Sequence, residues 1–167
     1  MDPTDTPDAI DGALGSPWQA ARAHSRYLDN LLLNRPDIAS WLGEHVAQPL
    51  TAGEMRDFLD AAAPHDDAGV KRVLRRLRQR VMATLIVRDL ADVAPLSEVV
   101  ESMTRLADVT TNFALDFVHR QLCELYGEPL DSQGRSQRLM VIGMGKLGGR
   151  ELNVSSDVDF IFVYPEE

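Results

Sequence analysis

From Trp18 to Leu122 the apolar residues recur mostly at three- and four-residue steps, the spacing of one face of an α-helix. From Leu139 onward they come instead as two short continuous runs. The change of period predicts a helical region followed by one that contains strands. Ser16 and Pro17 open the first helix as N-cap and first helical residue. Trp18, Ala21, Leu28, Leu31 and Leu32 give it one face as far as Asn34-Arg35-Pro36. A short helix over Asp37–Leu42 is expected to stop at Gly43. Thr51 and Glu54 have capping-box spacing ahead of Met55, Phe58 and Leu59, and Pro64 closes that helix. The strongest periodicity lies over 66–92, through Val70, Val73, Leu74, Leu77, Val81, Leu85 and Leu90. A further long helix is expected from Ser97 as N-cap to a stop at Tyr126-Gly127. Its stripe is Val100, Met103, Leu106, Ala107, Phe113, Ala114, Phe117, Val118 and Leu122.

The polar stretch from Asp131 to Gln137 marks the boundary, giving a helical domain over 16–130 and a second domain starting at 138–167. Leu139–Ile142 reads as a buried strand. Gly143 and Gly145 allow a tight turn, Lys146–Asn153 is expected to form about two helical turns, and Asn153–Ser156 a turn rich in side-chain donors. A second strand follows from Val158 to Val163, with Val158 directed into the core. The fold class expected is α+β.

Composition narrows the function classes. A formal net charge of -9 argues against a nucleic-acid groove, which needs a basic field. The helix over 66–92 does carry Lys71, Arg72, Arg75, Arg76, Arg78 and Arg80 opposite its apolar face. The favoured reading of that run is a solvated face pairing with the chain's carboxylates; the alternative is an anion-binding surface. Cys123 is the only cysteine, which excludes a disulfide within the chain and points to a buried or half-buried thiol in a reducing compartment. The four histidines, His24, His45, His65 and His119, lie too scattered for a metal set. Residues 1–15, acidic and rich in Pro and Gly, read as a disordered leader and not a signal peptide. No apolar run approaches the ~18 residues of a membrane span. Together these features place the protein in the cytoplasm, off the membrane.

The chemistry-bearing stretch is Leu139–Tyr164. Asp157 and Asp159 stand two apart. On a strand such residues share a face, roughly 6.5–7 Å apart. Two carboxylates so placed suit a divalent cation such as Mg²⁺, which completes its shell with waters and phosphate oxygens. The bland alternative is an acidic pair at an exposed strand start. Gly145-Lys146 is followed by Leu147, so the glycine turn is not a Walker A loop. Gly143-Met-Gly145-Lys-Leu-Gly148 does match the dinucleotide-binding glycine pattern, with Glu166 or Glu167 near the ribose-acid position. A Rossmann-like module is therefore a rival reading, although the space for its crossover helix is short.

The order Gly148-Gly149, seven residues, Asp157-x-Asp159, with apolar residues around the acids, resembles the nucleotidyltransferase superfamily that includes DNA polymerase β. More closely, GMGKLGGRELNVSSDVDFIFVY resembles the signature of the glutamine synthetase adenylyltransferase/adenylyl-removing family. RVMATLIVRDL over Arg80–Leu90 and the Asn34-Arg-Pro-Asp37 turn are similar to that family's helical N-terminal region. That family carries two transferase domains, and Glu151-Leu-Asn-Val-Ser-Ser-Asp157 looks like the N-terminal, adenylyl-removing copy.

The resemblance implies a mostly helical N-terminal region followed by the first β-α-β unit of a nucleotidyltransferase palm. It implies phosphorolysis of adenylyl-tyrosine on glutamine synthetase, giving ADP and tyrosine, and addition of AMP from ATP by the other domain. It further implies Asp157 and Asp159 as catalytic Mg²⁺ ligands, with Gly148, Gly149 and Ser156 beside phosphate and Lys146 and Arg150 as weaker anion contacts. A PII-type signalling protein is an expected partner of the whole enzyme. The superfamily's third carboxylate comes from a later strand, and the chain ends at Glu167. The expectation is therefore an incomplete transferase domain, inactive as an isolated chain and exposing an apolar edge strand.

Overall fold

The computed structural model describes residues 17–165. Ser16 and the expected leader lie outside the described residues. The first predicted helix is two: α1 (Pro17–His24) and α2 (Arg26–Asn34). Ser25 separates them because it adopts extended backbone and its hydroxyl accepts from Leu28 N, capping α2. α3 (Pro36–His45) starts with proline at its first position and runs through Gly43. α4 (Ala52–Ala62) carries the expected capping box: Thr51 Oγ1 accepts from Glu54 N while Glu54 Oε2 accepts from Thr51 N at 2.7 Å. The depressed Glu54 pKa follows from that backbone bond first and from the Thr51 hydroxyl second.

α5 (Asp67–Leu90) is capped by Asp66 and buries Val70, Val73, Leu77, Val81 and Leu85. α6 (Leu96–Tyr126) begins after Pro95, so Ser97 lies inside the helix and is not its cap. The stop at Gly127 is as expected, with Gly127 N donating to Cys123 O. The far end of the α6 stripe is open, however: Val118 and Leu122 are exposed. Cys123 is half-buried, with Sγ 3.5 Å from His119 Nε2.

α5 is the central beam. One core joins it to α4 and α6 through Met55, Leu59, Leu77, Val81, Met103 and Leu106. A second joins its Ala83 and Val87 to Leu28, Leu32, Ile38 and Leu42 of α2 and α3. Arg88 closes the C-terminal end of α5, pairing with Glu98 at 2.7 Å and donating to the carbonyls of Val46 and Ala47.

The remaining elements are β1 (Met140–Gly143), α7 (Gly145–Gly148) and β2 (Phe160–Val163). The strands pair antiparallel, with Met140 opposite Val163 and Gly143 opposite Phe160. The class is thus mostly helical with a small sheet, as expected for α+β. The details differ. β1 is not a buried strand, since Met140 and Ile142 are each 48% exposed. α7 is a single turn, because Arg150 takes left-handed backbone (φ 57) and ends it. β2 starts at Phe160, leaving Asp157, Val158 and Asp159 ahead of the strand and Val158 exposed. The antiparallel pairing also removes the Rossmann-like alternative, which requires parallel strands joined by a full crossover helix.

Candidate functional site

The site is built on close backbone approaches. A Cβ at Gly148 would lie 2.6 Å from the Gly143 carbonyl oxygen, so only glycine lets α7 fold this tightly onto β1. Gly145 opens the turn with φ 54, a left-handed value that a side chain would strain. Gly148 N and Gly149 N donate to Met144 O and Gly145 O. The N–H groups of the two glycines are therefore used within the turn. The first N–H groups of a helical turn have no intrahelical acceptor, which leaves those of Gly145 and Lys146 without one inside α7. Gly148 and Gly149 are themselves exposed, so bare backbone is presented there.

Two leucines fasten this surface. Leu147 and Leu152 are buried and belong to the same core as α4, α5 and α6. Arg150 adds a polar strut, since its guanidinium donates to Glu101 of α6 at 2.6 Å and lies 3.6 Å from Asp108. Hydrogen bonding to Arg150 holds the Glu101 carboxyl below the ordinary glutamate range, and Glu101 in turn raises Arg150. The expected anion contact at Arg150 is thus engaged with α6.

Between Leu152 and β2 the chain is organised by Asn153. Its Oδ1 accepts from Ser155 N and from the hydroxyls of Ser155 and Ser156, the last at 2.8 Å. Lys146 Nζ reaches Ser156 Oγ at 3.4 Å, so these two expected phosphate contacts do come together. Met144 N donates to Asp159 O at 2.9 Å, extending the sheet register one step and holding Asp159 beside the start of α7. The side chains of Asp157 and Asp159 are exposed and, among the described residues, make no hydrogen bond or ion pair. They do not share a strand face, since both precede β2.

No group of three or more His, Cys, Asp or Glu side chains that could hold a metal occurs among the described residues. Asp157 and Asp159 are free carboxylates, the kind of oxygen donor that suits a hydrated Mg²⁺ taking its remaining ligands from water and phosphate. A groove of about 460 Å³ runs along the other side of the turn, between α6 and β1. Gly143, Leu147, Gly148, Asp116 and Arg138 line it, while Asp157 and Asp159 do not. Sequence reasoning missed one support, Glu101, and read Asn153–Ser156 as a turn rich in side-chain donors without the Asn153 amide oxygen as the acceptor that organises it. Glu101 gives no local signal because it acts across 49 residues; Asn153 does, as a residue that commonly organises turns.

The family model for GlnE, glutamate-ammonia ligase adenylyltransferase, matches residues 18–167. The chain belongs to this family. Curated relatives named bifunctional glutamine synthetase adenylyltransferase/adenylyl-removing enzyme include that of Nitrosomonas eutropha, 46% identical over 86% of this chain and 16% of the relative. That of Aromatoleum aromaticum is 46% identical over 91% of this chain and 16% of its own length. That of Thioalkalivibrio sulfidiphilus is 42% identical over 98% of this chain and 18% of its own. The chain therefore spans less than a fifth of these GlnE relatives. No helix among the described residues is long and apolar enough to cross a membrane.

Proposed function

We propose that this chain supplies the opening part of the adenylyl-removing half of a GlnE enzyme, with a helical domain over 16–130 and the start of the transferase domain at 138–167. The reaction is phosphorolysis: inorganic phosphate attacks the AMP phosphorus on a modified tyrosine of glutamine synthetase. A phosphorus–oxygen bond forms to phosphate, the bond to the tyrosine oxygen breaks, and ADP and free tyrosine result. The observation that carries the reading is the pair of exposed carboxylates, Asp157 and Asp159, without an ion pair among the described residues, directly following in sequence the turn in which Lys146 meets Ser156.

Asp157 and Asp159 would hold Mg²⁺, whose charge offsets that building on the phosphoryl oxygens during in-line displacement. The protein's own groups position the anions. Gly148 and Gly149 let phosphate approach the backbone closely, the Lys146 ammonium and Ser156 hydroxyl orient it, and Arg150 keeps the turn rigid from behind. Most of the catalytic effect in such a site is electrostatic preorganisation. A second domain of the family adds AMP from ATP, and a PII-type signalling protein acts on the whole enzyme in the cytoplasm.

The test uses a chain of the relatives' full length. Asp157→Asn should lower phosphate-dependent ADP release from adenylylated glutamine synthetase by about 100-fold or more, the scale of losing a preorganised charge contact. ATP-dependent addition of AMP to unmodified glutamine synthetase should be spared. Full ADP release by the variant would remove the metal assignment, and loss of AMP addition alone would move the chain to the other half. Mn²⁺ binding followed by electron paramagnetic resonance gives a readout that does not depend on turnover.

A further inference from the structure

We propose that the outward face of α5 is a docking surface for a carboxylate-rich patch on a folded partner protein. The inference stands apart from the transfer chemistry. Lys71, Arg72, Arg75, Arg76 and Arg78 are all exposed, on the side of α5 away from Val70, Val73, Leu77 and Val81. None of the five has an ion pair among the described residues. Of the other arginines, Arg22, Arg35, Arg88, Arg105, Arg135, Arg138 and Arg150 each meet a carboxylate, while Arg26, Arg56, Arg80 and Arg120 make no ion pair among the described residues.

The contrast is not for want of acids, because the chain has 26 Asp and Glu against 17 Lys and Arg. The face is solvated as expected, and among the described residues these five cations form no pair with the chain's carboxylates. Lys71 and Arg75, and Arg72 and Arg76, are like charges one turn apart, a spacing that mildly destabilises a helix. No ion pair among the described residues offsets it. An acidic surface laid against the face relieves it and gains charge complementarity at the same time.

The dimensions favour a protein patch over a polyanion. Residues 71–78 cover about 10 Å along the helix axis. A nucleic acid or an anionic bilayer extends well beyond that footprint and meets a molecule whose net charge is -9. A compact acidic patch meets only the cations.

The experiment measures binding of the 167-residue chain to three probes by fluorescence anisotropy, across a salt series: a labelled Glu/Asp-rich peptide, labelled oligothymidylate, and phosphatidylserine-containing vesicles. The peptide should bind, and should weaken as salt shortens the screening length below about 10 Å. The triple variant R72E/R75E/R76E should bind it at least about tenfold more weakly, with the neutral R72Q/R75Q/R76Q variant in between. Both variants keep the buried face of α5, and melting curves check that they fold. The salt series on the unaltered chain stands even if the charge-reversed variant does not fold. Peptide binding that is absent, or indifferent to salt and to the neutral variant, would overturn the proposal. Oligothymidylate or vesicles bound as tightly as the peptide would overturn it too.

Discussion

The guanidinium of Arg88 divides its donors between a carboxylate and two carbonyls. Nε and NH2 take both oxygens of Glu98 at 2.7 and 2.9 Å, and NH1 reaches Val46 O and Ala47 O. With 8% and 15% side-chain exposure, the pair is largely desolvated. Removing one partner of such a pair leaves the other charge uncompensated. Arg88→Met should therefore lower stability by about 3–5 kcal/mol, read from urea unfolding. Glu98→Gln, which keeps a hydrogen-bond acceptor, should cost less. Thr51 works at smaller scale. Thr51→Ala removes the helix cap and should cost about 1 kcal/mol at neutral pH. Glu54 adds a pH signature: its folded pKa is depressed, so its contribution is present above the ordinary glutamate range and is lost as pH falls through the depressed value. In Thr51→Ala the loss of melting temperature on acidification below about pH 5 should be slightly shallower, because the hydroxyl's smaller part of the shift is removed while the backbone bond to Glu54 remains.

Among the elements, α7 is the one set by a single atom's space. Gly148→Ala would place a methyl 2.6 Å from Gly143 O, so the β1–α7 corner must open. Overpacking of this kind costs about 1–3 kcal/mol. Hydrogen exchange at Met144 N and Gly148 N should accelerate, while the α5 core stays protected. The longer elements are legible in the sequence because their signals are local and repeated. The capping box at Thr51, each apolar step from Val70 to Leu85 in α5 and the stop at Gly127 act within one or two turns, whereas Leu90, expected on the same face, is exposed. The misreadings fall where one short-range signal competes with another. Ser25 interrupts a continuous apolar face because its hydroxyl prefers an N-cap geometry. Gly43 does not interrupt α3 because one helical glycine costs only about 1 kcal/mol. Pro95, not Ser97, starts α6. The shortness of β2 follows from pairing: Gly143 ends β1 opposite Phe160, and no ladder partner remains in β1 for residues 157–159.

At the scale of the molecule, the glycine-and-acid stretch is legible as a motif but not as a place. Sequence spacing brings Asp157 and Asp159 near a glycine turn. It cannot show that the turn hangs from the helical region through Leu147, Leu152 and the Arg150–Glu101 contact, since the Arg150 partner lies 49 residues away. The same limit hides that the exposed α5 cations make no ion pair among the described residues, since that depends on where distant acids sit. Leu152→Ala should be felt throughout, at about 2–5 kcal/mol, because the side chain is 3% exposed in a core shared with α4, α5 and α6. That shared core makes the helices a thermometer for the turn. Whatever binds the turn in the folded state and not in the unfolded chain raises the free energy of global unfolding, by about 2.7 kcal/mol at a hundred times its Kd. Far-ultraviolet circular dichroism of α5 and α6 can therefore test whether phosphate or Mg²⁺ binds the turn, which contributes almost no ellipticity of its own.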